Sequence, residues 1–260
     1  MPITADYPHH ADTAEPVTMT APQIWAVANR IRRQIHADVA ERAIDVGAIV
    51  DGASGFNVNG IAFDAFWDLD HAVANEAGDE VMGTTEYDPA DPTSIMVSIN
   101  GPVLAGRDDL LRSTAAHELG HVVFEAPAWI AKATGQVSVS YCAEGSTMGR
   151  LAELPVSRRT NLTAHEIREA RANEFMGGFL VPPQLAKVDL LRIAKRSRMK
   201  PSPRPSAILQ GPAFDAEAID GSAGEDLLFE LAERYRVSEA FIRVRLSRYD
   251  LLRTEFSHGR

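Results

Sequence analysis

The chain has a single cysteine, Cys142, among its 260 residues, so it can form no internal disulfide and build no thiolate metal site. It has no run approaching the roughly 18 apolar residues of a membrane span. Residues 1–20 lack the apolar centre of a secretory signal and carry Asp6, Asp12 and Glu15. A reducing, cytoplasmic location is therefore expected, with no membrane contact. Positive charge is also short: 26 Lys and Arg against 36 Asp and Glu leave a net charge of -10. That field repels nucleic acid at long range and leaves DNA binding only to a local basic patch. What is present is 45% hydrophobic and 24% charged residues, enough for one good core with a small appendage.

Residues 1–20 are polar, carry Pro2, Pro8 and Pro16, and show no sustained period, which predicts a mobile N-terminal tail. From Pro22, Ile24, Val27, Ala28, Ile31 and Ile35 recur at helical spacing, with Arg30, Arg32 and Arg33 on the wet side. Ile95, Val97 and Ile99 alternate with Met96, Ser98 and Asn100 as a half-buried strand does, and Gly101-Pro102 ends it. A helix follows from about Asp108, whose carboxylate suits the first turn, and runs on to Pro127. A second helix starts at Thr163, where Glu166 three residues on completes a capping box, and stops before Pro182 and Pro183. Together these elements delimit a domain over 21–183. Residues 184–223, with the basic, proline-bearing stretch at 194–205, read as a linker, and 224–260 as a helical C-terminal segment interrupted near Val237 and Ser238.

The chemistry lies on the first of these two helices, in HELGH at 117–121. Histidines four apart project from one face, so His117 and His121 can put two imidazole nitrogens on one ion. Glu118 stands about 100° around the helix from His117, placed to serve as a general base without ligating. Ala115, Ala116, Leu119, Val122 and Val123 make the helix a buried one, where an unpaired His or Glu would be costly. Catalytic zinc needs a third protein ligand, and Phe124 and Pro127 exclude the HExxHxxGxxH arrangement. Glu169 and Asn173, one turn apart, match the zinc peptidases whose third ligand is a Glu followed four residues later by Asp or Asn. Glu169 is thus the expected ligand, ahead of Glu125, His165 and Glu174, and Asn173 is the expected partner of a liganding histidine's outer nitrogen. Gly120, Gly177 and Gly178 suggest that the two helices approach closely. The oxyanion donor is left open among Tyr141, His165 and Arg171.

With HELGH and EARANEFMGGFLVP at 169–182 in view, the chain resembles the ImmA/IrrE family of metallo-endopeptidases. Glu169, Ala172, Asn173, Phe175, Leu180 and Pro182 occupy the positions of that family's second helix, and Gly177-Gly178 stand where it has paired alanines. The resemblance implies an α+β, zincin-like domain of helices packed on a small sheet, here with a C-terminal helical appendage. It implies zinc on His117, His121 and Glu169, with Glu118 as base. It implies a protein substrate that is a helix-turn-helix transcriptional repressor, cut in a stress response or in mobile-element regulation. His, His and Glu also suit manganese. The Ile95–Ile99 strand is the expected edge for an extended substrate. Two other readings stand beside this one. Residues 231–249 are compatible with a helix-turn-helix, making the protein a DNA-binding regulator with a structural, non-catalytic metal. Its charge there is balanced, six Arg against six Asp plus Glu over 225–253. A zinc-dependent module that binds a repressor without cutting it is the other.

Overall fold

Period-two alternation builds the sheet that carries the site. In the strand Ile61–Asp68 (β3), Ile61, Phe63 and Ala65 point inward, and in Ser94–Ile99 (β5), Ile95, Val97 and Ile99 are fully buried. With Ile3–Ala5 (β1), Gly55–Val58 (β2) and Gly83–Tyr87 (β4), they form a mixed five-stranded sheet in the order β1-β2-β3-β5-β4. β1 and β2 are parallel, as are β3 and β5, while β2–β3 and β4–β5 are antiparallel. The computed structural model describes residues 1–38, 40–75, 77–87, 90–135, 162–215 and 222–253. The fold class is α+β, as expected, and it divides into two compact units, Met1–Val39 with Ile44–Phe179 and Ala40–Ala43 with Leu180–Arg260. No helix among the described residues is long and apolar enough to cross a membrane.

In the first unit, Ala21–Ile35 (α1), Val46–Gly52 (α2), Gly101–Leu104 (α3), Asp108–Phe124 (α4), Ala126–Ala133 (α5) and Ala164–Leu180 (α6) accompany the sheet. α4 is buried all round from Arg112 to Phe124, the environment of a helix enclosed by its neighbours. Its first turn holds Asp108 and Asp109, where carboxylates suit the positive end of the helix dipole, although Arg107 rather than Asp108 is the N-cap. The helix ends at Phe124, and Pro127 sits in the first turn of α5 instead of terminating α4. The capping box that starts α6 is present: the Thr163 backbone N–H donates to Glu166 at 2.7 Å, and the Glu166 N–H donates to the Thr163 hydroxyl at 3.2 Å.

Three expectations are corrected. Residues 1–20 are no tail, because β1 pairs with β2 and Tyr7 is buried with its hydroxyl donating to the Val123 carbonyl at 2.9 Å. The alternation that places them, Ile3, Ala5 and Tyr7, is too short to register as a strand between Pro2 and Pro8. Arg32 is not on a wet face: it is 3% exposed and donates to the Phe179 carbonyl at 2.9 Å. The segment expected to be a linker from 184 begins as a helix, Pro183–Arg196 (α7). Pro183 lies in the first turn, where its fixed φ suits a helix and its missing N–H costs nothing, so the proline pair divides two helices rather than ending helical structure.

In the second unit, α7 buries Ala186, Asp189, Leu190, Ile193 and Ala194 at helical spacing. It is joined there by Ser222–Tyr235 (α8) and Glu239–Arg248 (α9), and by the two-stranded ladder of Phe214–Asp215 (β6) and Leu252–Arg253 (β7). The break between α8 and α9 falls where the sequence places it, with Ser238 capping α9 by accepting from the Phe241 N–H.

Candidate metal centre

α4 supplies His117 and His121 from consecutive turns, and α6 supplies Glu169. The two helices meet with no side chain between them at Gly120, where an added Cβ would stand 3.1 Å from the Ala172 Cα. Gly178 does a different job from the one expected of it, since a Cβ there would meet Trp25 of α1 at 3.0 Å. Trp25 is fixed in turn by donating its indole N–H to Glu174 at 2.8 Å. Close approach is thus built from glycine twice, once between the site helices and once behind them.

The result is a triangle of side chains, with one Glu169 oxygen toward each imidazole. His117 Nε2 and His121 Nε2 are 3.1 Å apart, His121 Nε2 is 3.3 Å from Glu169 Oε1, and His117 Nε2 is 3.4 Å from Glu169 Oε2. Ligands about 2.0–2.2 Å from one tetrahedral ion stand about 3.3–3.6 Å from each other, and each imidazole nitrogen stands at about that distance from one oxygen of Glu169. The two imidazole–carboxylate distances exceed the usual 2.7–3.2 Å of an N–H···O bond. His117, His121 and Glu169 are 0%, 3% and 1% exposed, and these three form a group able to hold a metal ion. Burial raises the Glu169 carboxyl, but the imidazoles of His117 and His121 that face it outweigh this and hold the group well below the usual carboxylate range. Burial lowers His121, while Glu125 and Glu169 more than reverse this and raise it to about 10. A buried carboxylate kept ionised beside two imidazoles is a donor set that a divalent cation completes.

Glu118 is fully buried beside this triangle and outside it. Burial pushes its carboxyl up, against the histidines and a hydrogen bond from Thr85 that favour the charged form. Its Oε1 has no hydrogen-bond partner. Of the remaining expected residues, Asn173 lies one turn beyond Glu169 and is 9% exposed. Glu125 also approaches the outer nitrogen of His121, with Oε2 3.9 Å from Nδ1. Arg171 is taken by Glu125, donating from Nη2 to Oε1 at 2.6 Å, with its guanidinium 5.4 Å from the centre of the Phe124 ring. His165 is half-buried in the first turn of α6. Tyr141 lies outside the described residues.

Glu125, four residues after His121, was legible as an i, i+4 partner and was weighed only as a ligand. Glu125 Oε2, 3.9 Å from His121, puts a buried carboxylate behind that imidazole, and losing a carboxylate that closes on a liganding histidine costs about 10–100-fold in metal affinity. Glu125→Gln and Arg171→Met are each expected to weaken metal binding by about that factor, measured by competition with a chromophoric chelator. An unchanged affinity in both would remove Glu125 from the site. A cavity of about 520 Å³ is lined by this pair together with Trp129, Ile167 and Glu174 among others. Neither the ligands nor Glu118 line it, so it is separate from the metal centre. No protein-family model, no curated protein and no solved structure matches this chain.

Proposed function

We propose that the protein is a zinc-dependent endopeptidase whose substrate is a helix-turn-helix repressor. One observation carries the catalytic part of this reading: His117, His121 and Glu169 bring metal-ligand atoms within 4.8 Å of one another, and a second buried carboxylate, Glu118, stands next to them with one oxygen unpartnered. A structural zinc is held by four protein ligands, whereas a catalytic one keeps a position open. Among the described residues the group has three.

His117, His121 and Glu169 would hold the zinc, which supplies Lewis-acid chemistry, polarising a peptide carbonyl and acidifying water. Glu118 Oε1 accepts the proton of the attacking water and returns it to the leaving amine. β5 lies between β3 and β4, so it is not the free edge that the sequence suggested; β4 is the last strand in the order. An extended peptide pairing along β4 would run past Glu118, which Thr85 of that strand contacts. The substrate class rests on the resemblance of the 117–121 and 169–182 motifs.

The near-complete burial of the four side chains favours a second reading, a metal with a structural role in a repressor-binding or DNA-binding regulator. One experiment separates them. The protein, stripped with a chelator and reloaded with one equivalent of zinc, is incubated with purified helix-turn-helix repressors of its source organism. Cleavage that is lost on stripping and restored by zinc is the expected result. A zinc-loaded wild type that shifts operator DNA or binds the repressor and leaves it intact would overturn the peptidase reading.

A further inference from the structure

Glu118 is held from the sheet, by a side chain of β4. Thr85 Oγ1 lies 2.8 Å from Glu118 Oε2 and 3.4 Å from the Glu118 backbone carbonyl. A hydroxyl has one proton, and the shorter contact, to the carboxylate, is the one that takes it. Thr85 is 3% exposed and Glu118 is fully buried, so the contact between them is shielded from bulk water. Thr85 is β-branched and sits in a strand, which restricts its χ1 and gives the hydroxyl a fixed direction. The last torsion of a glutamate is soft, so a carboxylate without such an anchor loses its orientation.

Gly83 is two residues before Thr85 and shares its face of β4. A Cβ at Gly83 would stand 2.8 Å from Thr114 Cγ2, 3.0 Å from Glu118 Oε1 and 3.1 Å from Glu118 Cγ. The backbone of β4 therefore lies against the carboxylate at a distance that admits no side chain. The two oxygens of Glu118 end up unequal: Oε2 is bonded to Thr85, and Oε1 has no hydrogen-bond partner.

We propose that Thr85 is a positioning residue that anchors Glu118 through Oε2 and leaves Oε1 as the oxygen that accepts the proton, with Gly83 setting the approach of β4. The catalytic consequence rests on the peptidase reading; the anchoring does not. Thr85→Val keeps the branched shape and removes the donor, and Thr85→Ser keeps the donor.

With a repressor that the wild type cuts as substrate, Thr85→Val is expected to lower kcat by about 10- to 100-fold, the scale of a misplaced catalytic group. KM should stay within about twofold and the bound metal at one per chain, and Thr85→Ser should recover most of the rate. Independently of substrate, the Glu118 carboxyl band, assigned in isotope-edited infrared spectra by difference from Glu118→Gln, should shift in Thr85→Val and return in Thr85→Ser. An unshifted band, or a serine variant as slow as the valine one, overturns the proposal. If the zinc-loaded wild type cuts nothing, the peptidase reading falls, and the infrared comparison still decides whether Thr85 anchors Glu118.

Discussion

Glu118→Gln is expected to leave one metal bound per chain and to lower repressor cleavage by about 10²–10⁴-fold, the range a positioned general base contributes. The substitution is nearly isosteric. A glutamine can still accept the Thr85 hydroxyl proton through its amide oxygen, so the packing against β4 at Gly83 is retained. What it cannot do is take up a proton at neutral pH. Glu118 contributes no atom to the ligand triangle, which is made by His117, His121 and Glu169, so metal content should not move with the rate. Paired measurement of zinc by elemental analysis and of cleavage by electrophoresis checks both halves. Loss of zinc together with activity would show Glu118 to be a structural member of the site. A variant that retains both zinc and full activity would leave the reaction without its base.

How much of this site was visible in the sequence depends on how far apart its parts lie along the chain. His117, Glu118 and His121 are set by helix geometry alone, and the capping box at Thr163 and Glu166 fixes the phase of the helix that carries Glu169. Gly120 marked a close helix approach correctly because a missing side chain inside a buried helix has few other uses. Its partner surface proved to be Ala172, while Gly178 serves α1. Thr85, 33 residues before Glu118, gave no signal, since its role exists only once β4 takes the edge beside β5. Strand order is likewise invisible to a period-two pattern: Ile95, Val97 and Ile99 announced a buried strand and said nothing of which neighbour flanks it. The N-terminal residues were misread for the same reason, because a three-residue strand acquires its meaning from the one it pairs with.

Asp189→Asn is expected to destabilise the second unit by about 3 kcal/mol, the low end of the ~3–5 kcal/mol cost of breaking a buried ion pair from one side. Asp189 is 1% exposed on α7. It accepts from Arg42 Nε at 2.7 Å and from the Tyr235 hydroxyl at 3.0 Å, with Arg234 Nε at 3.1 Å and Arg192 Nη2 at 3.4 Å. One carboxylate thus draws together α7, α8 and the short Ala40–Ala43 stretch that belongs to this unit. Asparagine keeps an acceptor for Arg42 or Tyr235 but leaves the guanidinium charges facing each other without their counter-ion. The low end applies because Arg192 and Arg234 keep contact with water, at 52% and 30% exposure. The same site has a pH signature. Burial raises Asp189, but the hydrogen bonds from Arg42 and Tyr235 and the charges of Arg42 and Arg234 outweigh it and lower its carboxyl below the ordinary aspartate value. A carboxyl lowered on folding contributes stability that is fully present above its unfolded pKa, about 3.9, and is lost as pH falls through the folded value. The native unit should therefore loosen on acidification, and Asp189→Asn should lack that component of the acid response. All three tryptophans, Trp25, Trp67 and Trp129, lie in the first unit, so fluorescence does not read this change. Hydrogen exchange of peptides from α7 and α8 does, and protection there that is equal in Asp189→Asn and wild type at pH 7 would show that the arginine cluster does not depend on Asp189.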